Sequence, residues 1–243
     1  MNKLYVAGIG PGDPANMTEA CRAAIEEAEV VVGYTEYIRL VQAVFPEKRM
    51  LDTAMTRETE RCRAALSLAA DGTCTAVVCS GDAGVYGMAG LIYELSEAYP
   101  PVEIEIVPGV TAALAGAALL GAPLTHDFAV ISLSDLLTPW KLIEKRLLCA
   151  AMGDFCIAMY NPSSRKRADY LQKACDLLLA HKSPETLCGI ARCVGREGEQ
   201  THLLTLSELR KAQVDMFTTV FIGNAQTRAI RGKMVTPRGY SLD

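Results

Sequence analysis

The sequence predicts an α/β protein built from two α/β domains with mainly parallel mixed sheets and a ligand cleft between them. Three observations carry that expectation. Short apolar runs alternate along the chain with segments whose apolar positions recur every 3.6 residues, the pattern of strand–helix–strand units. Several apolar runs end in glycine- or proline-containing turns, where such a unit bends from strand into helix. The 243 residues, 50% hydrophobic and 21% charged, are enough for one large or two modest cores without disulfide staples.

The elements follow in order. LYVAGIG (4–10) reads as a strand, GPGDP as its turn and TEACRAAIEEAE (18–29) as a helix. EVVVGY (29–34) is the next strand, followed by EYIRLVQAVF (36–45) and ETERCRAALSLAA (58–70) as helices. CTAVVCSG (74–81), GMAGLIYELSEAY (87–99), VEIEIVPG (102–109) and the small-residue helix TAALAGAALLG (111–121) complete a first series. The turn residues of GAPLTHD set the boundary, giving domains 1–122 and 123–243. A second series then runs through FAVISL, DFCIAMYNP, RADYLQKACDLLLAHK, TLCGIARCVG, LSELRKA and MFTTVFIGN, with a short closing strand in KMVTP. No period of 20–50 residues repeats, which excludes solenoids and propellers.

Composition removes several function classes. The longest charge-free apolar run, 110–124, is 15 residues of largely Ala and Gly, short of the ~20 residues of a membrane span. The first residues lack the apolar stretch and cleavage site of a signal peptide, so a cytoplasmic location and no membrane partner are expected. Nine cysteines are an odd number set singly in apolar runs, which reads as core thiols, and no metal-ligand spacing is present. Residues 1–121 carry a net charge of −8 and residues 122–243 one of +4. An acidic chain is no general nucleic-acid binder, although its basic second half suits a polyanionic small molecule.

Three loops carry the chemistry. Gly8-Ile9-Gly10-Pro11-Gly12-Asp13-Pro14 follows the first strand but has Asp13 where a dinucleotide fingerprint needs glycine, and no phosphate-binding P-loop occurs. Ser80-Gly81-Asp82-Ala83-Gly84-Val85-Tyr86-Gly87 offers close backbone approach and a carboxylate at a strand end. Asp82 has two readings there, a partner for a ribose hydroxyl or a cap for the following helix. Val107-Pro108-Gly109-Val110-Thr111-Ala112 turns into a helix of small residues, suited to close packing or to space for a bulky ligand.

In this order and spacing, GIGPGDP, SGDAGVYG and PGVTAA resemble the tetrapyrrole (corrin/porphyrin) methylases, S-adenosyl-L-methionine-dependent enzymes of two α/β domains that are not Rossmann methyltransferases. The resemblance covers essentially the whole chain. The segments LTHDFAVISLSDLLTPW (124–140), MYNPSSRKR (159–167) and GKMVTPRGY (232–240) resemble in particular the members that methylate C-17 of a precorrin or cobalt-precorrin with ring contraction in cobalamin biosynthesis. Methylation at C-11 or C-20, or tetrapyrrole binding without catalysis, is the alternative on the same fold. The resemblance implies a donor, yielding S-adenosyl-L-homocysteine as product, contacted by Ile9, Pro11, Gly81, Asp82, Val85, Thr111 and Ala112, and by Asn161, Gly195, Val235 and Thr236. It implies a tetrapyrrole substrate with acetate and propionate side chains, met by Tyr86, Ser134, Arg165, Arg167 and Arg238. His126, Asp127 and Ser132, with Asp135 nearby, are the expected acid–base group for ring contraction. Trp140 is read either as a cover for the macrocycle or as core. A homodimer is implied, and no metal and no nucleic acid.

Overall fold

The computed structural model describes residues 2–164 and 167–241. Its contacts divide it into two compact units, Met1–Ala112 and Ala113–Asp243.

The first unit is a five-stranded sheet. Its strands are β1 (Lys3–Gly8), β2 (Val30–Tyr34), β3 (Arg49–Thr53), β4 (Thr75–Cys79) and β5 (Glu103–Val107), in the spatial order β3-β2-β4-β1-β5 with every pairing parallel. The crossovers contain α1 (Glu19–Glu27), α2 (Thr35–Val44), α3 (Glu58–Ala70) and α4 (Ala89–Ser96). Because helices cover both faces, β1 and β4 are buried on both sides and read as unbroken apolar runs. Tyr5, Ala7, Val31, Ala76 and Val78 pack on one face, and Leu4, Val6, Val30, Val32 and Val77 on the other. Thr18 caps α1 by accepting from the Cys21 amide and donates its hydroxyl to the Pro108 carbonyl, tying the helix start to the turn after β5.

The second unit begins with α5 (Ala112–Leu120), apart from its first residue, and β6 (Gly121–Ala122). Its main sheet has the order β10-β9-β11-β8-β7, from β7 (Phe128–Ser132), β8 (Cys156–Tyr160), β9 (Leu187–Arg192), β10 (Gln200–Thr205) and β11 (Thr218–Ile222). α6 (Trp140–Met152), α7 (Tyr170–Leu179) and the single turn α8 (Leu206–Leu209) connect them. β7 and β8 are parallel, whereas β11 lies antiparallel between β8 and β9. β12 (Arg228–Ile230) and β13 (Lys233–Val235) form a hairpin whose turn residues Arg231 and Gly232 both have positive φ, and β13 pairs with β6. Of the ten pairings among named strands, six are parallel, so the expected mixed, mainly parallel architecture holds.

The contact division falls about ten residues before the expected boundary at 122/123. α5 explains the difference: Ala113, Ala117 and Leu120 share a core with Ala158, Ala191, Phe221 and Met234. A Cβ on Gly116 would lie 2.9 Å from the Phe221 ring, so the small residues of this helix serve close packing. Five elements escaped the sequence reading: β3, β10, α6 and the two- and three-residue strands β6 and β12, which are too short to carry a pattern. β3 and β10 are edge strands with little burial, and therefore lack an apolar signature. α6 does carry one, since Ile143, Leu147, Ala150 and Ala151 are spaced as one helical face.

Candidate functional site

In the first unit the strand order sets β4, β1 and β5 side by side, so the loops after these strands meet at one edge of the sheet. The meeting is between backbones. Gly10 and Gly81 form an isolated antiparallel bridge, exchanging hydrogen bonds of 3.1 and 2.7 Å. Both have positive φ, +77° and +70°, which glycine adopts without steric penalty. A Cβ on Gly8 would lie 2.5 Å from the Gly81 carbonyl oxygen, and one on Gly109 would lie 2.1 Å from it. The sequence marked Gly81 but not Gly8 and Gly109 as site residues; their signal was their position where an apolar run ends.

Asp82 locks this arrangement. Its Oδ1 accepts from the amides of Gly84 at 2.8 Å and Val85 at 3.1 Å, and its Oδ2 accepts from the Gly109 amide at 2.9 Å. Three of roughly four carboxylate lone-pair sites are thereby filled by backbone. Asp82 does not cap the following helix, since α4 starts at Ala89 behind Met88 with no side-chain cap; its carboxylate folds its own loop and clamps it to the loop after β5. Ile9 is buried, and its amide continues the ladder to the Cys79 carbonyl at 2.9 Å. Pro11 is buried, Thr111 is buried with its Cα 3.4 Å from a Cβ placed on Gly81, and Val85 and Ala112 are half-buried. Tyr86 is 59% exposed at φ +56°, a conformation uncommon for a bulky residue.

In the second unit the parallel pair β7–β8 sets two expected segments next to each other. Asn161, at φ +52°, donates its Nδ2 to Ser132 Oγ at 2.9 Å, and the Ser134 amide donates to the same oxygen at 3.2 Å. Arg167 donates Nη1 to Ser134 Oγ at 2.5 Å and Nε to Ser164 Oγ at 3.1 Å, with Asp135 Oδ1 3.6 Å away. The Tyr170 hydroxyl donates to Asp135 Oδ2 at 2.6 Å, and this contact pushes the Tyr170 pKa up. Trp140 packs on Tyr170 with ring centroids 4.5 Å apart and donates Nε1 to Glu144. It belongs to the edge of the core, while the neighbouring Leu137 is 98% exposed. Arg165 lies outside the described residues, and Arg238 is exposed.

The expected group His126, Asp127 and Ser132 is not assembled. His126 and Asp127 precede β7 and Ser132 ends it, a separation of about 16 Å for five residues of extended chain. His126 Nδ1 accepts from the Asp127 amide at 2.9 Å, and both side chains are exposed. Thr236 is fully buried: its hydroxyl donates to the Pro123 carbonyl at 2.7 Å and lies 2.8 Å from Thr227 Oγ1. Its side chain is therefore committed to structure, and Val235 pairs with Ala122. Gly195, at φ +68°, donates its amide to Glu199 Oε2 at 2.8 Å. Among the described residues no group of three His, Cys, Asp or Glu side chains forms a metal site.

Comparison with known proteins follows the same line. A family model described as Tetrapyrrole (Corrin/Porphyrin) Methylases matches residues 3–210. The chain is 50% identical over 240 residues to the probable cobalt-factor III C(17)-methyltransferase of Salmonella typhimurium, covering 98% of this chain and 100% of that protein. It is 41% identical over 246 residues to the protein of the same description from Methanocaldococcus jannaschii, covering 98% and 97%. The solved structure of the methyltransferase CobJ superimposes with a TM-score of 0.90 at 39% identity, covering 97% and 99%.

Proposed function

The chain belongs to the tetrapyrrole (corrin/porphyrin) methylases, and we infer from its full-length similarity to cobalt-factor III C(17)-methyltransferases that it methylates C-17 of a precorrin or cobalt-precorrin macrocycle, with ring contraction, in cobalamin biosynthesis. S-adenosyl-L-methionine is the proposed donor. The single observation that carries the donor site is the interlock of Gly8, Gly10, Gly81 and Gly109 held by Asp82. It presents main chain without Cβ atoms at the carboxyl edge of a parallel sheet, the surface on which a nucleoside and an amino-acid moiety lie closely.

Bound there, the donor supplies an electrophilic methyl group for direct displacement by an electron-rich ring carbon. No side-chain nucleophile is demanded of the protein. Alignment of the reactants accounts for about 7–11 kcal/mol of such a barrier. The backbone of Ile9, Pro11, Gly81 to Val85, Thr111 and Ala112 is assigned to donor binding in the first unit, and that of Asn161, Gly195, Val235 and Thr236 in the second. For the macrocycle we assign Tyr86, Ser134, Arg167, Arg238 and Arg165. Arg167 suits a peripheral carboxylate because Ser134, Ser164 and Asp135 fix its fork. Ser132, bonded to Asn161, is kept as the acid–base candidate, and His126 with Asp127 is placed apart from it. A cytoplasmic homodimer completes the reading, to be checked by light scattering.

The test is calorimetric titration with S-adenosyl-L-homocysteine followed by methyl transfer to cobalt-factor III and precorrin-3B. Binding, with a product methylated at C-17, is the expected outcome. A folded protein that binds no S-adenosyl-L-homocysteine, or that methylates another carbon, refutes the reading.

A further inference from the structure

Arg61, on α3, is 3% exposed and is the buried charged residue of the first unit. Its Nε donates to the Thr53 hydroxyl at 2.8 Å and its Nη2 to the Ala54 carbonyl at 3.1 Å, while Nη1 lies 3.5 Å from Met88 Sδ. The Tyr34 ring is 6.0 Å away. All four partners are uncharged, and among the described residues Arg61 enters none of the ion pairs of its unit. Of the five N–H groups of a guanidinium, three meet an acceptor, and one of those acceptors is a thioether, a weak one. Buried cations are ordinarily paired with a carboxylate. The second unit follows that rule: Lys182, 7% exposed, sits 3.0 Å from Asp154 Oδ1.

The location of this unpaired cation is informative. Thr53 ends β3, Tyr34 ends β2 and Met88 follows the loop after β4. The guanidinium therefore stands at the carboxyl ends of three parallel strands, the edge at which open α/β sheets take their ligands and at which the glycine loops meet. We propose that Arg61 is a carboxylate-binding residue, whose guanidinium takes a peripheral carboxylate of the macrocyclic acceptor as its counter-charge. The acceptor's identity rests on the function proposed above. The planar fork matches a carboxylate in bidentate fashion, and the groups it displaces are the Met88 sulfur and the Ala54 carbonyl. Residues 54–57 form the turn that yields, with Met55 46% exposed and Thr56 at φ +64°.

The test titrates wild type, Arg61→Lys and Arg61→Met, each saturated with S-adenosyl-L-homocysteine, with cobalt-factor III, read by its visible absorbance. The titration is repeated with the macrocycle's carboxylates converted to amides, and thermal midpoints and S-adenosyl-L-homocysteine affinity are recorded alongside. Arg61→Met is expected to weaken macrocycle binding about tenfold or more with donor-product affinity unchanged, and Arg61→Lys to weaken it less, since an ammonium keeps the charge without the fork. Against the amidated macrocycle the variants are expected to match wild type. Should Arg61→Met fail to fold, the same comparison is made with Arg61→Lys. Macrocycle binding equal to wild type, or a loss that persists with the amide, overturns the proposal and leaves Arg61 as a prop for the 54–57 turn. Because the readout is binding, a wild type that binds the macrocycle yet does not methylate C-17 overturns the function reading and leaves this one standing.

Discussion

Replacing Gly109 by alanine asks whether the three-loop interlock holds the first unit's binding edge. The added Cβ would lie 2.1 Å from the Gly81 oxygen and 2.5 Å from the Gly8 oxygen, both fixed backbone atoms. Contacts below 3.0 Å are not sustained, so one loop must retreat by about 1 Å, an overpacking that costs about 1–3 kcal/mol. The retreat breaks the Gly109 amide bond to Asp82, and a hydrogen bond to a charged group contributes about 1.5–3 kcal/mol. Together the loss is about 2.5–6 kcal/mol, or a fall in Tm of at least about 5 °C for a chain of this length. Donor-product affinity is expected to fall by about tenfold or more, which corresponds to about 1.4 kcal/mol. The control is Gly90→Ala, in α4, where a Cβ meets nothing within 4 Å and a small gain of up to about 1 kcal/mol is expected. Differential scanning calorimetry and titration with S-adenosyl-L-homocysteine read both variants. A Gly109→Ala protein that melts and binds like wild type would refute the interlock.

Three further outcomes are expected. Asp82→Ala removes the acceptor of three amides and is expected to destabilise the fold by about 2 kcal/mol or more while weakening S-adenosyl-L-homocysteine; Asp82→Asn, which keeps one oxygen, is expected to fall between it and wild type, and equal effects in urea titrations would count against the clamp. Burial pushes the thiols of Cys21, Cys62 and Cys175 up to about 12 and that of Cys79 up to about 11. An aromatic disulfide reagent near pH 8 is therefore expected to modify Cys149, which is exposed, and Cys193, which is half-buried, with all nine thiols titrating only after denaturation; a third fast-reacting thiol in the native protein contradicts this. Burial raises the Asp215 carboxyl, but hydrogen bonds from Thr218, Arg192 and the Phe217 amide outweigh it and hold the group below its ordinary value. A carboxyl so held stabilises above its unfolded pKa and loses that contribution as pH falls through the folded one. Asp215→Asn is accordingly expected to be less stable at neutral pH, with a shallower loss of stability below about pH 4; an unchanged acid slope in pH-dependent melting contradicts the assignment.

What the sequence determined by itself is what local physics writes into short stretches. Unbroken apolar runs such as TAVVC, buried on both faces, show strands covered by helices on both sides of a sheet. Glycines at the ends of those runs marked the loops where backbone meets backbone, and the order of three such loops carried the family resemblance. The segments ISLSD and NPSSRKR were legible as candidate site segments through that resemblance; that β7 and β8 bring Ser132, Ser134, Asn161 and Arg167 together is added by the fold. What only the tertiary structure decided depends on which distant residues become neighbours. The edge strands β3 and β10 leave little pattern because half-exposed pairing is satisfied by backbone hydrogen bonds rather than by apolar side chains. The antiparallel seat of β11 between β8 and β9 is a matter of chain path, on which periodicity is silent. Asp82 became a clamp because Gly109, 27 positions later, arrives beside it. His126 and Ser132, six positions apart, are sent to opposite ends of one strand. Arg61 reads in sequence as one more charge on a helix; its burial among neutral partners arises only when Thr53, Ala54 and Met88 close around it. The energy of a charge is set by the medium and the groups that surround it, and those surroundings are supplied by the fold.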